Sequence, residues 1–102
     1  MNYPLIVREE AEADLEEAYR WYEEQRKGLG DDFLLCVEAA IESVQEDPSL
    51  CPKIRKEVRR KLVRRFPFGI YYVLRDDRIT VVAVLHCRRS PREWLRRVGE
   101  ES

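Results

Sequence analysis

The sequence predicts an α+β domain: a small, twisted, mostly antiparallel sheet in the order β-α-α-β-β-β-β, an αα-hairpin packed on one face, and a short C-terminal helix. Three observations predict it. Two stretches before Pro48 repeat their apolar residues at the helical period. Two nearly continuous apolar runs, Ile70–Leu74 and Ile79–Leu85, follow later, joined by the charged turn Arg75-Asp76-Asp77-Arg78. Helices come first and strands after them, which is the order of α+β chains rather than of alternating α/β ones. With 102 residues the chain can build one core, so 1–102 is expected to be a single domain.

Taken in order, Tyr3–Val7 is a short apolar run interrupted by Pro4, which suits an edge strand because proline cannot donate to a ladder. From Glu9 the period changes. Ala11, Leu15, Ala18, Tyr19 and Tyr22 form one apolar stripe, with Glu12, Glu16 and Glu23 on the face expected to meet solvent. No Ser, Thr, Asp or Asn caps this helix, but Glu9 and Glu10 suit the positive end of its dipole. Trp21 flanks the stripe, either as a partly buried aromatic or as a partner contact.

Gly28-Leu29-Gly30 should break the helix, and Asp31 or Asp32 is expected to cap the next. That second helix carries Phe33, Leu34, Val37, Ala40, Ile41 and Val44 on one side and stops at Asp47-Pro48, where the proline disfavours helical backbone before it. After the connector Ser49–Pro52, two weaker strands are expected at Ile54–Val58 and Arg60–Phe66, with apolar residues separated by Arg and Lys. Phe66-Pro67-Phe68-Gly69 is then expected to turn the chain into the two apolar strands. Ser90-Pro91-Arg92-Glu93 has the form of a capping box, so Pro91–Val98 should be a helix presenting Trp94, Leu95 and Val98.

Charge is distributed unevenly. Residues 1–50 hold fourteen acids and four bases, a balance of −10, whereas residues 51–102 hold fifteen bases and six acids, a balance of +9. The basic half is therefore what an anionic partner would meet. Cys36, Cys51 and Cys87 are widely spaced, which argues against a disulfide framework and a zinc site. The acids of both helices are expected to face solvent, and no metal, cofactor or phosphate loop is expected. No apolar run approaches the length of about 20 residues that a bilayer requires, and no signal peptide opens the chain, so a cytoplasmic protein is expected.

The candidate site lies in the basic half. His86 ends the last strand just before Arg88 and Arg89; it is either a hydrogen-bonded structural residue or a proton-transfer group beside a bound phosphate. Arg60, Lys61, Arg64 and Arg65 would come from one strand pair, and one of Tyr71 and Tyr72 must face away from the helices. A basic surface with interleaved aromatics suits RNA or an acidic protein segment.

At these residues the chain resembles the RelE/ParE superfamily of bacterial type II toxins. The resemblance runs through AEADLEEAYRWYEE, LGDDFLLCVEAAIESVQEDPSLCP, RRFPFGIYYVL, ITVVAVLHCRRSP and EW. It implies a growth-inhibiting toxin held by a cognate antitoxin in a hetero-oligomer, with the antitoxin laying a helix on the toxin and extending its sheet. RelE-like members cut messenger RNA on the ribosome with a Lys/Arg patch and, commonly, a Tyr or His near the C-terminus; ParE-like members poison DNA gyrase. After Arg89 this chain has neither Tyr nor His, Trp94 stands there instead, and LHCRRSP is closer to the ParE-like pattern. The resemblance thus implies a ParE-like toxin, with Lys61, Arg65, Tyr71, Tyr72, Arg89, Trp94 and Trp21 as target or antitoxin contacts. The alternatives are a ribosome-dependent mRNA endonuclease using His86, Arg60, Arg64 and Arg88, and a non-toxic derivative of the fold.

Overall fold

A computed structural model describes residues 2–99 of the chain. The elements are β1 (Leu5–Val7), α1 (Glu9–Gln25), α2 (Leu29–Glu46), β2 (Lys53–Arg55), β3 (Val58–Leu62), β4 (Phe68–Arg75), β5 (Arg78–His86) and α3 (Pro91–Gly99). This is the predicted α+β order. The five strands form one sheet, β1-β5-β4-β3-β2, in which only the β1–β5 pairing is parallel.

The two helices pack as predicted, but their joint differs. Helix α2 begins at Leu29 with Gly28 as its N-cap at φ 90°, so Asp31 and Asp32 lie inside the first turn instead of capping it. The cap comes from the preceding helix. Glu23, expected on a solvated face, accepts the N–H groups of Gly28 and Gly30 at 3.0 Å each, satisfying amides that the helix start leaves open. Gly30 is required by packing, since a Cβ there would lie 2.8 Å from the Tyr19 carbonyl oxygen and ring.

The weaker strands are shifted from their expected bounds. A tight turn at Lys56 (φ 52°) and Glu57 divides β2 from β3, and the fully buried Val58 starts β3 instead of ending the strand before it. The next turn spans residues 64–67, with Arg65 at φ 70° as its left-handed residue, while Phe68 and Gly69 already belong to β4. The β4–β5 hairpin turns through Asp76 (φ 50°) and Asp77 (φ 60°), the primed geometry that matches strand twist.

Both faces of the sheet are covered. On one, Ile70, Tyr72, Ile79, Val81 and Val84 pack beneath α1 and α2 with Phe33, Val37, Ala40 and Val44. On the other, Val58, Tyr71, Val73, Val82, Ala83 and Leu85 pack beneath α3 through Trp94 and Val98. A bulge makes the second face possible. Tyr71 pairs with Ala83 and Tyr72 with Val81, leaving Val82 as an extra residue, so Val82 and Ala83 both turn toward α3. At the start of α3, Ser90 Oγ accepts the Arg92 N–H at 3.2 Å, while Glu93, expected to complete the box, reaches Arg89 at 3.3 Å.

Strand β1 covers only part of β5. Its register ends at Val7 opposite Val81, and beyond that the outer edge of β5 is met by side chains. Asp14 of α1 accepts the Val84 N–H at 3.0 Å and takes Arg97 of α3 in a two-pronged ion pair of 2.6 and 3.2 Å; Arg97 also donates to the Val82 carbonyl at 3.1 Å. Both side chains are only 12–13% exposed, so Asp14 departs from the solvent-facing position expected for the helix acids. The Asp14 bond raises the Arg97 pKa. Because Asp14→Asn would leave a poorly solvated guanidinium against the edge, we expect a loss of about 2 kcal/mol in urea unfolding and faster amide exchange in α3. Exchange in α3 unchanged by the substitution would show that the pair does not hold that helix.

Candidate functional site

The β3–β4 turn and the turn after β5 lie at one end of the sheet. Phe68 pairs with His86, and the Cys87 N–H donates to the Pro67 carbonyl at 2.8 Å, so Arg64 and Arg65 share an end with Arg88 and Arg89. All four are exposed. Among the described residues the carboxylate within ion-pair reach of this set is that of Glu93, on Arg89; the Arg65 guanidinium rests 5.7 Å from the Phe66 ring centre. Among the described residues the four arginines thus meet one acid, Glu93, and positive charge is concentrated there.

The other predicted residues divide by strand parity. Arg60 pairs with Tyr71 and so faces the α3 side, whereas Lys61 pairs with Ile70 and faces the helical hairpin. The Arg60 stem lies over Gly69, where a Cβ would come within 2.9 Å of its Cδ. His86, paired with Phe68, is on the opposite face from Arg60. The structure therefore brings His86 together with Arg88 and Arg89 but does not gather His86 and Arg60 on one surface.

The predicted aromatics separate into core and surface. Tyr71, Tyr72 and Trp94, expected as contacts, are buried: Tyr71 stacks on Trp94 at 5.1 Å and 21°, and the Tyr72 hydroxyl donates to the Pro48 carbonyl at 2.6 Å. One tyrosine does face away from the hairpin, as alternation required, but α3 covers it. Burial raises the Tyr72 pKa above its usual value. Trp21 instead is 56% exposed, its ring meeting Tyr22 edge-on at 5.1 Å.

Trp21 stands on the wall of a groove of about 570 Å³ between α1 and the far end of β5. Asp14, Glu17, Ala18 and Trp21 line it from α1, and Pro67, Phe68, Val84, His86 and Arg89 line it from the sheet and its turns. Sequence reasoning missed Asp14, although it stands between Ala11 and Ala18 at helical spacing and so falls on the apolar stripe. Pro67 and Phe68 had no sequence signal beyond a turn.

His86 is fixed by its own turn. The Arg88 N–H donates to His86 Nδ1 at 3.1 Å, so in the neutral ring the proton sits on Nε2, which can donate but not accept. The ring edge also meets Phe68 at 5.6 Å. Such a histidine is suited to hold a partner's oxygen and poorly suited to take its proton. Among the described residues no group of His, Cys, Asp and Glu could hold a metal ion. No helix of these residues is long and apolar enough to cross a membrane.

Residues 5–91 match the family model described as the ParE toxin of the type II toxin–antitoxin system parDE. The chain belongs to that family. Its toxin fold is shared with the chromosomal ParDE toxin–antitoxin system of P. aeruginosa (TM-score 0.74, 17% identity, covering 82% of this chain and 95% of that one). It is also similar to the RelBE2 toxin–antitoxin complex of Mycobacterium tuberculosis (TM-score 0.59, 16% identity, 84% and 99% covered). Comparison with curated protein sequences returns no match.

Two outcomes are expected of this ParE-family chain. Nitrogen NMR of His86 at neutral pH should show the Nε2–H tautomer, and a predominant Nδ1–H form would remove the turn assigned to it. Tyr72→Phe should lower stability by about 1 kcal/mol near pH 7 by leaving the Pro48 carbonyl unpaired. Because the folded pKa of Tyr72 is raised, the wild type binds the proton that its unfolded chain loses above pH 10.0, so its advantage over the variant should shrink as pH rises further. Urea titrations at pH 7 and in the alkaline range measure both effects.

Proposed function

We propose that the chain is a type II toxin that stops growth by gripping its target, DNA gyrase, and that a cognate antitoxin holds it inactive in a cytoplasmic hetero-oligomer. The family match over residues 5–91 carries the toxin reading. The two solved relatives are described as toxin–antitoxin assemblies, which supports an antitoxin partner.

Binding is favoured over cutting by the placement of His86. Phosphodiester cleavage needs a group that takes or gives a proton next to cations that steady the developing charge. Here the ring nitrogen free to meet a ligand already carries the proton, and Arg60 lies across the sheet from it. The exposed arginines at the sheet end need no proton transfer to grip an acidic surface. Buried Trp94 likewise leaves the C-terminal helix without an exposed ring on which an RNA base could stack.

Expressing the chain alone in a bacterium should arrest growth with induction of the DNA-damage response and intact transcripts. Transcripts cut at the ribosomal A site would transfer the proposal to the mRNA endonuclease, and normal growth would support a non-toxic derivative. Reversing both Arg88 and Arg89 to Glu should abolish toxicity or antitoxin binding; retention of both would move the working surface elsewhere.

A further inference from the structure

Helix α3 turns one face to the sheet and the other to solvent. Trp94 and Val98 are buried against the strands, and Arg92 and Arg96 stand two positions away from them, on the outer face at i,i+4 spacing. Like charges at that spacing repel, so the fold gains nothing from the pair. The neighbouring arginines are used differently, Arg89 meeting Glu93 and Arg97 meeting Asp14. Among the described residues no carboxylate lies within ion-pair reach of Arg64, Arg65, Arg88, Arg92 or Arg96.

The fold places these side chains on one continuous side. Arg64, Arg65 and Arg88 share the sheet end where the Cys87 N–H meets the Pro67 carbonyl, and α3 starts there at Pro91, with Arg92 in its first turn. Arg96 follows about 6 Å along the helix axis. At the opposite end of the sheet the β4–β5 turn sets Asp76 and Asp77 between Arg75 and Arg78, a balanced set, so the excess of cations belongs to this side.

The kind of partner follows from what accompanies the charge. Arginine forks match phosphate oxygens, and about 6 Å of duplex axis carries about two phosphates of one strand. Single-stranded RNA is held by bases stacked on exposed rings, but Phe66 beside Arg65 and Trp94 between Arg92 and Arg96 are both buried. A protein partner needs an apolar centre inside its polar rim. The exposed large apolar side chains, Ile6, Trp21, Leu35, Leu50 and Leu62, lie outside α3 and the two turns.

We propose that Arg64, Arg65, Arg88, Arg92 and Arg96 form a binding surface for the phosphate backbone of duplex DNA. The contact is independent of base sequence, since α3 has no Asn or Gln to pair with base edges. Alone it is weak, because non-specific contacts of this kind have dissociation constants of about 10⁻⁴–10⁻⁶ M at physiological salt. Joined to a protein contact it forms at high effective concentration, and the toxin then favours gyrase loaded with DNA over the free enzyme. The assignment rests on the gyrase reading for its use and adds the nucleic acid to what is gripped.

Anisotropy of labelled duplexes of about 20 base pairs, in two unrelated sequences, measures the contact on the full chain. Both should bind alike, with log K falling against log salt at a slope between about −4 and −5, close to 0.9 for each arginine. Arg92→Gln combined with Arg96→Gln should make the slope shallower by about 2 and weaken binding about tenfold or more at about 50 mM salt. Arg78→Gln, in the turn at the other end, should change neither, and circular dichroism establishes that both variants are folded. A slope untouched by the double substitution overturns the assignment. So does tighter capture of a single-stranded RNA of the same length, or poly-glutamate of equal charge competing as strongly as the duplex. If the duplex goes unbound while growth still stops with the DNA-damage response, the phosphate surface falls and the gyrase reading stands. If the duplex binds as expected while transcripts are cut at the ribosomal A site, the gyrase reading falls and the surface stands.

Discussion

The Asp14–Arg97 ion pair is the contact on which the arrangement of layers depends. A sheet with covers on both faces needs something to join the covers, and here α1 and α3 meet through one carboxylate and one guanidinium at the edge of β5. The same two side chains satisfy the Val84 N–H and the Val82 carbonyl, backbone groups that the short β1 leaves unpaired. An open strand edge invites pairing with other chains, and a charged plug limits how much of it is offered. What is left open is a short length at the end where His86 and the arginines stand.

That placement separates the work of the two halves. The acidic half supplies the helical cover and the edge strand β1, and the basic half supplies the other four strands and both turns at the exposed end. Much of the aromatic content that might have served recognition is spent on stability. Tyr71 and Trp94 hold α3 to the sheet, a stacked pair contributing about 1 kcal/mol beyond its buried area. Tyr72 anchors the end of α2 through Pro48. Trp21 is left as the large ring facing solvent beside the groove.

The layers and their order were legible in the sequence because period and punctuation agree there. The stripes from Ala11 to Tyr22 and from Phe33 to Val44 are unambiguous, and the acidic turn at Asp76-Asp77 divides two runs too apolar to be anything but core strands. The turns around Lys56 and Arg65 were not legible, since each places a basic residue at positive φ where glycine or asparagine is the usual signal. The site was legible only in its charges. Which aromatics are exposed depends on α3 covering the second face, a tertiary fact that strand alternation does not contain. Asp14 could have been found as a carboxylate on an apolar stripe; its partner, far along the chain, could not.

The bulge at Val82 has a consequence for how such a chain can change. It divides β5 into two reading phases: before it, odd-numbered residues face the hairpin, and after it even-numbered ones do, which is why Val84 and His86 lie on the side of α1. The distal phase, and every polar group that rides on it, is therefore governed by strand length rather than by residue identity. Loss of one residue at Val82 or Ala83 would exchange the two sides for the whole outer half of β5. His86 would then face Arg60 across the other surface of the sheet. A binding surface and a second, differently equipped surface are thus separated by a single codon's worth of chain.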